Sequence, residues 1–173
     1  SPIATTWGET PFRTYTVLQV IDSAMGGYSG LEHQNSHLDL LAPIGLGSPT
    51  IASLYAHEIV HAWNVKRLRP AELWPYDYDE PQPTTLLWVS EGVTDYQADL
   101  AMVRSKLYSA DDFYSALTNK VSSVDRNPPM SLEDASLDTW IKPVNGEYSI
   151  YYDKGSVVGL LLDVMIRDAS DNR

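Results

Sequence analysis

The sequence predicts an α+β fold, in which a small β-sheet lobe is followed by a mainly helical lobe. The first third is rich in strand-forming residues, above all in residues 15–21. After Ser48, apolar residues recur at helical spacing, and proline-containing segments interrupt the helical stretches. Strands that precede helices, without alternating with them, are typical of α+β proteins.

Length and composition favour a single globular domain. The chain has 173 residues, of which 43% are hydrophobic, and we expect residues 1–173 to form one domain with its own core. The longest apolar run, residues 157–166, is too short to span a membrane. The net charge of −11 argues against nucleic acid as a partner. Oligomeric state is left open.

Cysteine is absent, which excludes disulfides and thiolate metal ligands. Any metal site must therefore use histidine or carboxylate side chains. The first residues do not resemble a signal peptide. The compartment stays open: periplasmic or secreted if a leader has been removed, and otherwise cytoplasmic.

The strand region is expected to contain extended segments at residues 15–21 and 31–41, with a turn at residues 25–30 between them. Glycine is frequent in this turn. Gly30 in particular allows unusual backbone angles or the close approach of a ligand.

The first long helix is predicted from Pro49 to about Lys66, with Ser48 as its N-cap. Residues 69–83 contain four prolines and are expected to form an ordered loop. Further elements are predicted in order along the chain: helices at about 85–107 and 109–124, a short turn or helix at 131–135, an extended stretch at 148–151 and a helix at 153–168.

The first helix carries a pattern typical of a zinc site. His57 and His61 are four residues apart and therefore lie on one helical face, with Glu58 beside them. Such a histidine pair alone is more often an ordinary part of an amphipathic helix. Glu58, its apolar surroundings and the later Glu91 favour a metal site, with Glu91 as the third ligand.

The same pattern predicts a hydrolytic mechanism. Zinc lowers the pKa of a bound water to about 7, and Glu58 would accept the water proton and pass it to the leaving amine. Asp95, one turn after Glu91, is expected to fix the tautomer of a ligand histidine; the alternative is a solvated helix residue. Gly92 is expected to permit close helix packing.

These residues resemble the gluzincins, which are zinc peptidases with a thermolysin-like catalytic domain, and within them the glycyl aminopeptidase family. The similarity covers nearly the whole chain, in order. It is carried by four segments: residues 57–70 (HEIVHAWNVKRLRP), 88–96 (WVSEGVTDY), 30–33 (GLEH) and 151–155 (YYDKG).

The resemblance implies further roles. In such enzymes the glutamate after the strand-motif glycine binds the free α-amine of the substrate, which places Glu32 and Gly30 in the substrate site. It also implies that Tyr152 donates its hydroxyl to the oxyanion, with Tyr151 as the competing candidate. Family members usually carry an N-terminal β-domain and a C-terminal PDZ domain. This chain shows neither, so it looks like the catalytic domain of a longer protein.

The leading hypothesis is a zinc aminopeptidase that removes small N-terminal residues, glycine or alanine, from peptides with a free N-terminus. One alternative is an endopeptidase of the same chemistry. Another is a non-catalytic peptide-binding module that contains zinc. The intact Glu58 and the presence of only three apparent ligands favour a catalytic site, since structural zinc sites prefer four protein ligands.

Overall fold

The computed structural model describes residues 2–141 and 149–172 and confirms the α+β fold. Its three-stranded sheet consists of β1 (Thr16–Ile21), β2 (Tyr28–Glu32) and β3 (Ser36–Leu41). The strand order is β1-β3-β2. Strand β1 runs parallel to β3, and β2 runs antiparallel to it.

Helices make up most of the remaining chain. They are α1 (Pro2–Trp7), α2 (Pro49–Val60), α3 (Thr94–Arg104), α4 (Ala110–Arg126), α5 (Leu132–Ile141) and α6 (Ile150–Ala169). A π-helical segment, Trp88–Val93, leads directly into α3, and 3-10 turns occur at Pro43–Gly45 and Ala71–Leu73. No helix in the described ranges is long and apolar enough to cross a membrane.

The chain divides into two compact units. The first consists of Ser1–Leu68 and Gln97–Phe113, and the second of Arg69–Tyr96 and Tyr114–Arg173. The sheet and α2 lie in the first unit. The π-helical segment, α5 and α6 lie in the second. The expectation that residues 1–173 form one domain stays a prediction.

In the first unit, α2 packs against strands β2 and β3. Side chains alternate along β3, and its buried positions are His37, Asp39 and Leu41. Ser48 caps α2 as predicted, since its Oγ accepts a hydrogen bond from Ile51 N at 3.3 Å. The same unit contains a hydrophobic core cluster formed by Ile3, Val60, Ala62, Trp63 and Ala101.

In the second unit, the π-helical segment and α6 come into backbone contact. A Cβ atom built on Gly92 would lie 2.5 Å from Gly155 Cα and 2.7 Å from Tyr151 O. A Cβ atom on Gly155 would lie 2.7 Å from Trp88 O. The close packing predicted at Gly92 is confirmed, because only glycine at both positions permits this approach.

Replacing Gly92 with alanine is expected to destabilise the protein by about 2 kcal/mol. Overpacking against backbone costs about 3 kcal/mol, and the better helix propensity of alanine offsets about 1 kcal/mol of this. The measurement is the free energy of unfolding in urea. Gly26→Ala is the matched control, because a Cβ atom there meets nothing within 4 Å. Equal stabilities of the two variants would contradict the close packing.

The sheet differs from the prediction in one respect. Residues 31–41 do not form one extended segment: β2 already begins at Tyr28, and a turn separates it from β3. His33 N donates to Ser36 O at 2.8 Å across this turn. The polar residues 33–36 favour this reversal, and it folds β2 back onto β3.

Helix α2 ends at Val60, so the prediction that it reaches Lys66 was wrong. Its end tightens, since Trp63 N bonds to Val60 O at 2.9 Å, three residues back. Val65 then adopts φ 133°, far outside helical geometry. Lys66 therefore lies in an irregular segment.

The boundaries of the later helices also differ from the predicted ones. The helix predicted at 85–107 begins with the π-helical segment and ends at Arg104. The short element predicted at 131–135 extends to ten residues in α5. The extended stretch predicted at 148–151 was wrong for Ile150 and Tyr151, which are buried in the first turn of α6; Tyr148 lies outside the described residues.

Candidate active site

Two buried histidines face each other at the end of α2. His57 and His61 are 8% and 1% exposed, and their Nε2 atoms lie 2.9 Å apart. The rings are nearly perpendicular, at 85°. Helical geometry causes this arrangement, since residues four apart project from the same face.

The tautomer of His61 is fixed by a backbone carbonyl. Its Nδ1 lies 2.8 Å from Asn64 O, and a carbonyl can only accept a hydrogen bond. Nδ1 therefore carries the proton, and the lone pair of Nε2 points toward His57. Such support of a ligand histidine from behind is typical of metal sites. Sequence reasoning missed the role of Asn64.

This geometry fits a metal ion. Two nitrogen ligands of a tetrahedral zinc, each about 2 Å from the metal, lie roughly 3.3 Å apart. The observed 2.9 Å between the Nε2 atoms is close to that separation. Because His61 Nε2 offers a lone pair, the space between the Nε2 atoms of His57 and His61 can hold a single proton or a single metal cation.

The segment after α2 is strained at Val65. A φ of 133° is rare for a β-branched residue and costs about 1–3 kcal/mol. Val65 is buried, and Lys66 N donates to His61 O at 3.0 Å, which holds the chain in this path. The path brings the Asn64 carbonyl back to His61. Nothing in the sequence pattern indicates this conformation.

Lys66, which follows, forms an ion pair with Glu32 on β2. The distance from Lys66 Nζ to Glu32 Oε1 is 3.0 Å, and both side chains are about one-fifth exposed. One ligand atom each from Glu32, Glu58 and His61 lies within 4.8 Å of the others. The Glu32 carboxylate predicted to bind substrate thus lies beside the predicted base.

Glu58 is buried under strand β2 and is 4% exposed. The strand passes over it at Gly30, where a Cβ atom would lie only 2.1 Å from Glu58 Oε1 and 2.4 Å from its Cδ. The close approach predicted at Gly30 is therefore made by the Glu58 side chain. Any larger residue at this position would compete with the carboxylate for space.

In the second unit, Glu91 lies in the π-helical segment and Tyr152 in α6. The Tyr152 hydroxyl donates to the Glu91 carboxylate. Burial raises the pKa of Tyr152, and the negative charge of Glu91 raises it further, so the tyrosine is a neutral donor. Short π-helical segments often occur at functional sites.

Two other residues of this unit, Asp95 and Tyr151, were also considered for roles in the active site. Asp95 Oδ2 lies 3.7 Å from Lys120 Nζ. Its expected contact with a ligand histidine stays a prediction.

Tyr151 is buried in an apolar cluster and stacks on Tyr152, with ring centroids 4.8 Å apart. The choice of Tyr152 over Tyr151 as the residue that donates to a substrate stays a prediction.

The predicted residues thus form two groups. The first unit brings together His57, His61, Glu58, Glu32 and Gly30. The second unit brings together Glu91 and Tyr152, with Asp95 one turn after Glu91.

Comparisons with known proteins identify the family and a structural relative. Residues 50–158, more than half of the chain, match the family model of the M61 glycyl aminopeptidases. Among solved structures, the chain is similar to an aminopeptidase N family protein from Idiomarina loihiensis, with a TM-score of 0.88 and 30% sequence identity. No curated protein matches.

The match to that solved structure covers 99% of this chain and 32% of the other. This chain therefore spans about a third of the length of that relative. The residues matched by the family model include the histidine pair, Glu58, Glu91 and Tyr152. Gly30 and Glu32 lie before them.

Proposed function

Because the chain belongs to the M61 glycyl aminopeptidase family, we propose that it is the catalytic domain of a zinc aminopeptidase that removes small N-terminal residues, glycine or alanine, from peptides. The observation that carries this proposal is the buried pair of facing histidines with Glu58 directly beside them. A peptide with a free N-terminus is the proposed substrate.

The proposed zinc ligands are His57, His61 and Glu91. The fixed tautomer of His61 supports this assignment, because its lone pair is already directed toward His57. Nitrogen and carboxylate ligands favour zinc by type. When bound, zinc supplies a Lewis acid that makes water nucleophilic near neutral pH.

Glu58 is the proposed general base and then acid. It takes the proton of the attacking water and returns it to the leaving amine. Its burial under Gly30 restricts its conformations and excludes bulk water from one side. A carboxylate held in this way does not need to reorganise before it accepts a proton.

Tyr152 is the proposed donor to the oxyanion of the tetrahedral intermediate. A donor of this kind typically contributes about 2.7–4 kcal/mol to transition-state stabilisation. Its hydroxyl donates to Glu91 in this structure, so it must exchange that acceptor for the substrate oxygen as charge develops. Burial and the charge of Glu91 raise the pKa of Tyr152, which favours the neutral hydroxyl that this role requires.

Glu32 is the proposed anchor for the substrate ammonium. It has one carboxylate oxygen paired with Lys66, which leaves the other to accept a charge-assisted hydrogen bond. An anchor at this point limits how far the peptide can enter, so that cleavage falls after the first residue.

Replacing Glu32 with glutamine is expected to reduce kcat/KM for a free-amine peptide by about 10–100-fold, because a hydrogen bond to a charged group contributes about 1.5–3 kcal/mol. The measurement compares one peptide with and without N-acetylation in both proteins. The acetylated peptide should be a poor substrate throughout and should be little affected by the change.

Equal cleavage of both peptides, before and after the change, would contradict the anchor and favour the endopeptidase alternative. Zinc at one equivalent without hydrolysis of any peptide would favour the non-catalytic binding module. Metal analysis, paired with a screen of aminoacyl reporter substrates, therefore separates the three hypotheses.

A further inference from the structure

Lys120 in α4 is largely withdrawn from solvent, although none of the proposed catalytic roles uses it. Its side chain is only 14% exposed, whereas α4 is a surface helix without a single buried residue. An ammonium group removed from water is costly unless charged or polar partners replace its hydration. The groups that this side chain reaches therefore indicate what it does.

Two side chains from different segments of the second unit receive the Lys120 ammonium. Lys120 Nζ donates to Ser156 Oγ at 2.9 Å and lies 3.7 Å from Asp95 Oδ2. Ser156 is buried in α6, and Asp95 is about one-quarter exposed in the first turn of α3. Lys120 thus joins the start of α3 to α6, through an ion pair with one and a hydrogen bond to the other.

These contacts lie one helical turn beyond the pair formed by Glu91 and Tyr152. Asp95 follows Glu91 by four residues, and Ser156 follows Tyr152 by four residues. Residues four apart in a helix project from nearly the same side, about 6 Å apart along the axis. Lys120 therefore joins the two segments on the side where the Tyr152 hydroxyl donates to the Glu91 carboxylate.

The two segments run side by side in the same direction through this region. A Cβ atom on Gly92 would lie 2.5 Å from Gly155 Cα, and one on Gly159 would lie 3.3 Å from Tyr96 Cβ. The second contact is four residues beyond the first on both segments. With that alignment, the Lys120 link fixes the separation of the segments one turn beyond the proposed ligand and the proposed oxyanion donor.

Lys120 also offsets a negative charge near Tyr152. Glu91 and Asp95 place two carboxylates one turn apart on the same segment, which is unfavourable for like charges. Burial raises the pKa of Tyr152 most, and the charges of Glu91 and Asp95 raise it further. An oxyanion that accepts from Tyr152 would meet the same repulsion. The Lys120 ammonium counters the contribution of Asp95.

We propose that Lys120 is a positioning residue for the proposed active site and acts through Asp95 and Ser156. It joins α3 to α6 one turn beyond Glu91 and Tyr152, and it compensates the charge of Asp95 beside them. The effect of Lys120 on the reaction rests on the proposed function, whereas the link between the two segments does not.

The link is tested independently of activity by NMR on protein labelled with ¹³C in its eleven tyrosines. The ¹³Cζ signal of Tyr152, assigned by its loss in Tyr152→Phe, reports the hydrogen bond of its hydroxyl. It should shift in Lys120→Met and stay close to its original position in Lys120→Arg, which keeps the charge. Arg126→Met is the matched control, since it removes an exposed positive charge from the same helix. An unmoved signal in folded Lys120→Met would overturn the proposal.

Ser156→Ala tests the same link with a smaller change. It removes the hydrogen-bond acceptor of Lys120 and leaves the ion pair with Asp95 in place. The Tyr152 signal should move in this variant too, by less than in Lys120→Met. Should Lys120→Met fail to fold, an unmoved Tyr152 signal in Ser156→Ala would overturn the proposal in its place.

Kinetics on aminoacyl reporter substrates test the effect on the reaction. Lys120→Met should lower kcat about five- to tenfold and leave KM within about twofold, because the compensated charge acts on the oxyanion and not on the bound substrate. Adding Asp95→Asn should restore part of the lost kcat, since both partners are then neutral. Additive losses in the double variant would overturn the charge compensation, and with it the proposal.

Failure of the link and failure of the proposed function give different results. If the Tyr152 signal responds as expected but no form of the protein hydrolyses peptides, the link stands and the proposed function fails. If the original protein hydrolyses peptides and Lys120→Met keeps both its kcat and its Tyr152 signal, the proposed function stands and the positioning role fails.

Discussion

Glu58→Gln is expected to lower kcat for aminoacyl reporter substrates by about 10²–10⁴-fold, the range that general acid–base catalysis contributes. Glutamine has nearly the shape of glutamate and fits the same buried space under Gly30. It cannot accept the water proton. Zinc content and thermal stability should stay near those of the unchanged protein, because Glu58 is not among the proposed ligands.

The measurement combines steady-state kinetics, metal analysis and thermal denaturation. Glu72→Gln is the matched control: it removes an equivalent carboxylate from an exposed position in the second unit and should retain full activity. This control also reveals any contaminating peptidase. If Glu58→Gln kept more than one-tenth of the original kcat with a normal zinc content, another group would have to act as the base.

Gly30→Ala is expected to lower kcat by about 10²-fold, although the substituted residue does no chemistry itself. The new Cβ atom would lie 2.1 Å from Glu58 Oε1 and 2.8 Å from Glu58 Cγ, so the side chain must rotate away. A misplacement of about 1 Å in a catalytic group can cost about 10²-fold in rate. Because the clash is with a side chain that can move, the loss of stability should be small.

Gly27→Ala is the matched control for this prediction, since it lies just before the same strand and a Cβ atom there meets nothing within 4 Å. The decisive comparison is kcat against the urea midpoint for both variants. A Gly30→Ala protein that unfolds much more easily would indicate a structural defect. A fully active one would show that Glu58 has room that this structure does not suggest.

Local geometry explains what the sequence could predict. The positions of His57, Glu58 and His61 follow from helical periodicity alone, and the N-cap at Ser48 follows from residue type. The support of His61 by Asn64 could not be predicted, because it depends on the strained φ of Val65. No residue preference favours that conformation for a β-branched side chain.

The alternation of side chains along β3 could not predict which face of the strand is buried. A period of two places His37 and Asp39 on one face and Leu38 and Leu40 on the other, but it does not identify the buried face. Hydrophobicity would favour the leucines for the interior, whereas the structure buries His37 and Asp39 completely. The burial of His37 can be understood only once its partner is located, which is the Tyr15 hydroxyl, 3.1 Å from His37 Nδ1.

The contact between Gly92 and Gly155 determines how the second unit can respond to motion or mutation. Glu91 is next to one of these glycines, and Tyr152 lies three residues before the other. With no side chain between the two backbones, the segment and α6 have no freedom to slide independently. The proposed ligand and the proposed oxyanion donor should therefore move as one rigid element. To change the position of one of these residues, a protein engineer would have to redesign the contact between Gly92 and Gly155. That redesign would also change the position of the other residue.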